Sequence, residues 1–220
     1  MENDRPQNPL IAFGNLIAGL LILNLLTILL CLPILTAGAA FSALYYAMFR
    51  LIQGDGHPIQ DFFRAFRRDF KQATPVWLIL LLMLCAIVGM YVYLNAMESM
   101  SGWALVIFII LCFWFLAVFS WVFPLVSRFA NRLFPTLRNA MLLGIVQFPR
   151  TVALVLLNGA FLAFALFFTD LIPRILPAYL AGCFSVPAYF SALLVKKPIL
   201  GFRQAARPAD DSKPNASQSE

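Results

Sequence analysis

Charge is what this chain has least of. Only 12% of its 220 residues are charged while 62% are hydrophobic, and a soluble domain carries about twice that charge. The 44 residues between Arg5 and Arg50 hold no charged side chain, and the 56 between Lys71 and Arg128 hold one, Glu98. About 20 apolar residues suffice to cross the hydrocarbon core of a bilayer, so such runs exclude an ordinary water-soluble domain. The first of them is also far too long for a cleaved signal peptide.

The residue types that carry catalysis are equally scarce. There is one histidine, His57, and in the turn Gly54-Asp55-Gly56-His57-Pro58 it reads as a solvated turn residue. Cys31, Cys85, Cys112 and Cys183 all fall in apolar stretches with no CxxC pair, which describes small core residues and implies neither a metal site nor a disulfide framework. No phosphate-binding loop, dinucleotide glycine pattern, nucleophile elbow or zinc-helix motif occurs. No Lys, Arg, Asp or Glu sits well inside an apolar run, so the usual mark of a proton relay or ion-coupled carrier is missing. The sequence therefore points to a non-enzymatic protein with no cofactor.

What is present is a series of helical spans, and the expected fold class is an all-α, polytopic transmembrane helical bundle. After a polar tail at residues 1–8, the transmembrane domain covers 9–197, with spans expected near 21–48, 74–95, 103–126, 151–168 and 175–195. A disordered cytoplasmic tail is expected over 198–220. The first apolar stretch admits two readings: crossings over 10–32 and 35–51, or a surface segment followed by one helix kinked at Pro33. The tip that two crossings would need, Cys31-Leu32-Pro33-Ile34-Leu35, lacks the polar residues expected of a turn at the water surface. That favours the kinked helix and five spans, with six as the alternative. The small residues Ala37, Gly38, Ala39, Ala40, Ser42 and Ala43 would allow close helix approach. Asn15, Asn24, Thr27, Ser120 and Asn158 read as polar glue between helices rather than as substrate ligands.

Between the first two spans lies PIQDFFRAFRRDFK, residues 58–71. Ile59, Phe62, Phe63, Phe66 and Phe70 recur at helical spacing on one face. Gln60, Asp61, Arg64, Arg67, Arg68 and Lys71 occupy the other. A basic aromatic helix of this kind is expected to lie at a bilayer surface, rings among acyl chains and cations at anionic headgroups. The competing reading seats the stripe Phe62, Phe66 and Phe70, with Arg64, Arg67, Arg68 and Lys71, on a protein partner. Asp61 and Asp69 could mimic a catalytic carboxylate pair, but neighbouring Arg64, Arg68 and Lys71 make helix ion pairing the better account. Glu98 and Asp170 fall at the outer edge and mark no site.

The cations also fix an expected orientation. The segments 50–73, 127–150 and 196–220 hold fourteen of the sixteen Lys and Arg, which by the positive-inside rule places all three, and the carboxyl terminus, in the cytoplasm. This clustering reads as topology in a cell membrane, not as a nucleic-acid surface. A weak internal repeat accompanies it: Pro58 precedes Thr74, and Pro135 precedes Thr151, by the same sixteen residues. A second interfacial helix is accordingly expected over 136–148.

The run from Pro33 to Trp77 resembles the signature region of the YesL-like family of bacterial integral membrane proteins of unknown function. The residues that carry the resemblance are Pro33, Thr36, Ala43, Leu44, Tyr45, Tyr46, Gly54, Phe62, Phe63, Phe66, Phe70, Lys71 and Thr74. It implies a bacterial membrane protein often encoded beside carbohydrate uptake and breakdown systems, and so a carbohydrate transporter component as partner. It brings no activity, cofactor or catalytic residue. An accessory or regulatory role and a small transporter or channel are the two functions left standing.

Overall fold

A computed structural model describes residues 9–54, 57–96, 102–128, 133–167 and 182–205. Seven α-helices account for most of them: α1 Pro9–Cys31, α2 Ala37–Gln53, α3 Pro58–Ala96, α4 Gly102–Arg128, α5 Leu133–Val146, α6 Phe148–Phe167 and α7 Ser185–Ala205. Phe13–Cys31, Ile34–Gln53, Pro58–Ala96 and Gly102–Arg128 are long and apolar enough to cross a membrane, and α5 with α6 makes a fifth candidate. The protein is an all-α polytopic helical bundle. Glu98, Asp170, Arg174, the polar N-terminal tail and the beginning of the fifth expected span lie outside the described residues. The last helix continues to Ala205, eight residues beyond Lys197 where a disordered tail was expected to begin.

Local chemistry explains where the helices start and stop. Gly54 closes α2 at φ 86°, and its amide donates to Leu51 O at 3.1 Å. That left-handed conformation suits glycine because no Cβ opposes it. Pro58 occupies the first position of α3, where its missing N–H costs nothing. The Asp61 carboxylate reaches back to accept from the His57 amide at 3.0 Å, so one donor at the helix start is satisfied by a side chain.

The first apolar stretch is the main departure from expectation. It forms two antiparallel helices, not one kinked crossing over 21–48. A Cβ on Gly19 of α1 would lie 3.0 Å from Leu51 near the end of α2, a contact that requires the chain to fold back. The reversal is built from Pro33 and a 3-10 turn, Ile34–Thr36. The Thr36 amide donates to Pro33 O at 2.9 Å, and the Thr36 hydroxyl lies within reach of the carbonyls of Leu30 and Pro33. Trp77 Nε1 donates to Ile34 O at 2.7 Å. An apolar sequence thus makes a turn because a threonine hydroxyl and a distant indole supply the hydrogen bonds that water would otherwise supply.

The α2–α3 pair is the centre of the molecule. Ala39, Ala40, Ala43 and Ala47 of α2 are fully buried, and a Cβ on Gly38 would collide with Trp77 Cβ and stand 2.7 Å from Ala73 O. Small side chains let the two backbones meet, as the composition of this run led one to expect. Phe41 projects from α2 among the rings of Trp77, Phe119, Phe123 and Phe184, at centroid distances of 5.3 to 5.9 Å. Beyond Trp77, α3 continues against α4, where Tyr91 meets Phe108.

Polar side chains join the outer helices to this centre. Asn24 Oδ1 of α1 accepts from the amides of Phe184 and Ser185 at 3.0 and 3.1 Å, capping the start of α7. The Asn158 amide of α6 donates to Leu154 O at 2.9 Å and lies 3.2 Å from Ser120 Oγ and 3.4 Å from Ser191 Oγ. Thr27 returns its hydroxyl to Leu23 of its own helix, and Asn15 is exposed. Of the five residues read as glue, Asn24, Ser120 and Asn158 bridge helices.

The two halves of the proposed repeat differ. In the second, α5 and α6 are separate and bent by 103° at Gln147, whereas Pro58–Ala96 is one helix of 39 residues. The aligned threonines differ too. Thr151 accepts from Trp121 Nε1 at 3.0 Å and donates to Gly144 O at 2.8 Å, while the buried Thr74 hydroxyl has no partner among the described residues.

Candidate functional site

Residues 59–71, expected as a free-standing interfacial helix, are the first third of α3, and its aromatic stripe is interior. Phe62 is fully buried, and Phe66 and Phe70 are half-buried against the core with their rings 5.7 Å apart. Acyl chains therefore do not receive Phe62. The reason is α2, whose small-residue face leaves room for the rings. Burial of Phe62 alone contributes about 1.5–3 kcal/mol. Phe62 is consequently closed to a partner, while Phe66 and Phe70 are open in part. What remains outside on the apolar edge is Ile59 and Phe63.

The cations divide into two sets. Arg68 donates through Nε and Nη2 to Asp69 at 2.6 and 3.0 Å and through Nη2 to Ser127 O at 2.9 Å, and its guanidinium lies 4.6 Å from the Tyr46 ring. Asp69 also accepts from Ser42 at 2.7 Å. Arg50 lies 3.6 Å from the buried Asp61, and Arg128 sits 4.5 Å over Phe49. These groups fasten α2, α3 and α4 at one level. Asp61 and Asp69 thereby have structural partners, and they serve separate contacts rather than one carboxylate pair.

Arg64, Arg67 and Lys71 form the second set. All three are exposed, and their i, i+3, i+7 spacing puts them on one ridge of α3. None has a counter-ion among the described residues. Ile59 and Phe63 flank this ridge one turn earlier. A cationic ridge bordered by two apolar side chains can receive an anionic surface that also offers an apolar edge.

A cavity of about 590 Å³ opens on the other side of the bundle, lined among others by Phe41, Tyr45, Trp77, Phe119, Asn158 and Phe184. This volume lies in the range of small-molecule sites. No sequence pattern announces it, since its lining comes from six helices or turns with no shared spacing. Asn158 was singled out only as glue. Among the described residues no group of three or more His, Cys, Asp or Glu could hold a metal ion.

Residues 20–91 match the family model described as "Protein of unknown function, DUF624". The match runs from α1 through the hairpin and along α3, and so includes the cationic ridge, over about a third of the chain. No curated protein and no solved structure matches the chain.

Proposed function

We propose that this chain is a YesL-like, non-enzymatic protein of the bacterial cell membrane, with its carboxyl terminus in the cytoplasm. In this reading it is an accessory or regulatory component of a carbohydrate transport or utilisation system. The observation that carries the reading is the contrast between the two sets of cations. Arg50, Arg68 and Arg128 are engaged by Asp61, by Asp69 and Ser127, and by Phe49, whereas Arg64, Arg67 and Lys71 are exposed on α3 without a counter-ion among the described residues. A ridge so presented is suited to docking on an acidic protein face or on anionic headgroups. The carbohydrate assignment is supported by the sequence resemblance alone.

The test combines Arg64→Glu, Arg67→Glu and Lys71→Glu in the full chain. These side chains are exposed, so the triple variant should keep its thermal stability. Carbohydrate transporter subunits should purify with the wild type and be lost from the variant, with slower uptake of that carbohydrate by the cells. Equal recovery and equal uptake would contradict the proposal. The cavity favours a second reading, a small transporter in its own right. Saturable solute flux into liposomes holding only this protein would select that reading.

A further inference from the structure

We propose that the α1–α2 hairpin is a re-entrant element: it enters the bilayer from the side bearing Arg64, turns within that leaflet, and leaves by the same side. Its lipid-facing surface is the tip, Leu32, Ile34 and Leu35. By length and composition both helices could be spans. Their register against α3 argues otherwise.

Three contacts set that register. Arg50 meets Asp61, Ser42 meets Asp69, and the tip carbonyl of Ile34 accepts from Trp77. The hairpin therefore ends beside the middle of α3. From Leu78 to Ala96 the same helix runs on for 19 residues, about 28 Å at 1.5 Å per residue. That is nearly the whole hydrocarbon thickness of roughly 30 Å. The continuation is apolar, uncharged, and packed on α4. If α3 and α4 cross the bilayer there, the hairpin tip cannot reach the far side.

The second half of the chain marks the near boundary independently. Thr151 at the start of α6 meets Trp121 of α4, and Gly159 approaches Leu116, so α6 follows α4. α5 is bent by 103° from α6 and therefore lies across that direction. It meets α3 through Gln72 and Thr136, 3.2 Å apart, while Met141, Leu142, Ile145 and Val146 are exposed. An apolar-faced helix lying across the span direction belongs at the edge of the hydrocarbon. It sits at the level of Gln72, one to two turns before Trp77.

Two further features identify acyl chains as what covers the hairpin. Leu32, Ile34 and Leu35 make the tip an exposed apolar surface, at 74%, 62% and 59% exposure. No charged residue interrupts positions 6–49. At the tip the carbonyls of Leu30, Pro33 and Ile34 accept from Thr36 and Trp77. Non-helical backbone tolerates hydrocarbon only when its polar groups are satisfied within the protein.

Single cysteines in an otherwise cysteine-free full chain test the depth. Arg64→Cys, Leu32→Cys, Leu25→Cys and Asn95→Cys all replace exposed side chains, so packing should persist. In sealed vesicles of uniform orientation, an impermeant thiol reagent should modify position 64 from one side and position 95 from the other. Position 32 should react from neither. A fluorophore at position 32 should be quenched by lipids carrying a spin label on the acyl chain, and one at position 25, about 10 Å further out at 1.5 Å per residue, far less. Reaction of position 32 from the side of position 95 would make the hairpin a full double crossing and overturn the proposal. Reaction from the side of position 64, or absence of lipid quenching at position 32, would place the hairpin outside the bilayer and overturn it equally.

Discussion

Ser42 donates to Asp69 at 2.7 Å across the α2–α3 contact, and Asp69 in turn holds Arg68, which reaches the backbone of α4 at Ser127. Asp69 is buried and has both carboxylate oxygens engaged. Asp69→Ala leaves the Ser42 hydroxyl without its acceptor and Arg68 with the Ser127 carbonyl alone, a loss of about 1–3 kcal/mol. Ser42→Ala should cost about 1 kcal/mol, because Asp69 keeps Arg68. Thermal unfolding in a mild detergent should rank the wild type above Ser42→Ala and both above Asp69→Ala.

Gly38 allows the closest approach of α2 to α3. A methyl group there would need Trp77 and the carbonyl of Ala73 to move, and backbone yields little. Gly38→Ala should lower stability by about 1–3 kcal/mol. Gly89, also on α3, has nothing within 4 Å of a built Cβ, so Gly89→Ala should leave stability unchanged or slightly raised. The same unfolding assay on both variants separates steric need from helix propensity.

Phe62 and Phe63 are neighbours with opposite environments, one fully buried and one 40% exposed. Phe62→Ala should cost about 3–5 kcal/mol, the range for a buried aromatic ring, while Phe63→Ala should cost far less. If the stripe rested in lipid, the two changes would have similar small effects. Unfolding temperatures and expression in membranes check the difference.

Much of this architecture was legible because hydrocarbon imposes simple lengths. Runs without charge announced helices of membrane size, and the small residues from Ala37 to Ala43 announced a close contact. Two things were illegible for definite reasons. The turn at Pro33 depends on Trp77, a residue 43 positions away, so local turn chemistry could not reveal it. The aromatic stripe of α3 had the pattern of a surface helix, but periodicity reports that a face is apolar and not what covers it. Likewise the spacing of the cations did not distinguish Arg68, held by Asp69 and Ser127, from Arg64 one turn away and Arg67 beside it.

The antiparallel α1–α2 hairpin underlies both the bundle and the re-entrant proposal, and a cross-link tests it most directly. Gly19→Cys with Leu51→Cys, in a chain lacking the four native cysteines, should form an intramolecular disulfide in native membranes, since these positions touch across the hairpin. In a single kinked crossing the same residues would stand about 48 Å apart at 1.5 Å per residue. Efficient cross-linking is the predicted result, and its absence in a folded, membrane-inserted double variant would contradict the account.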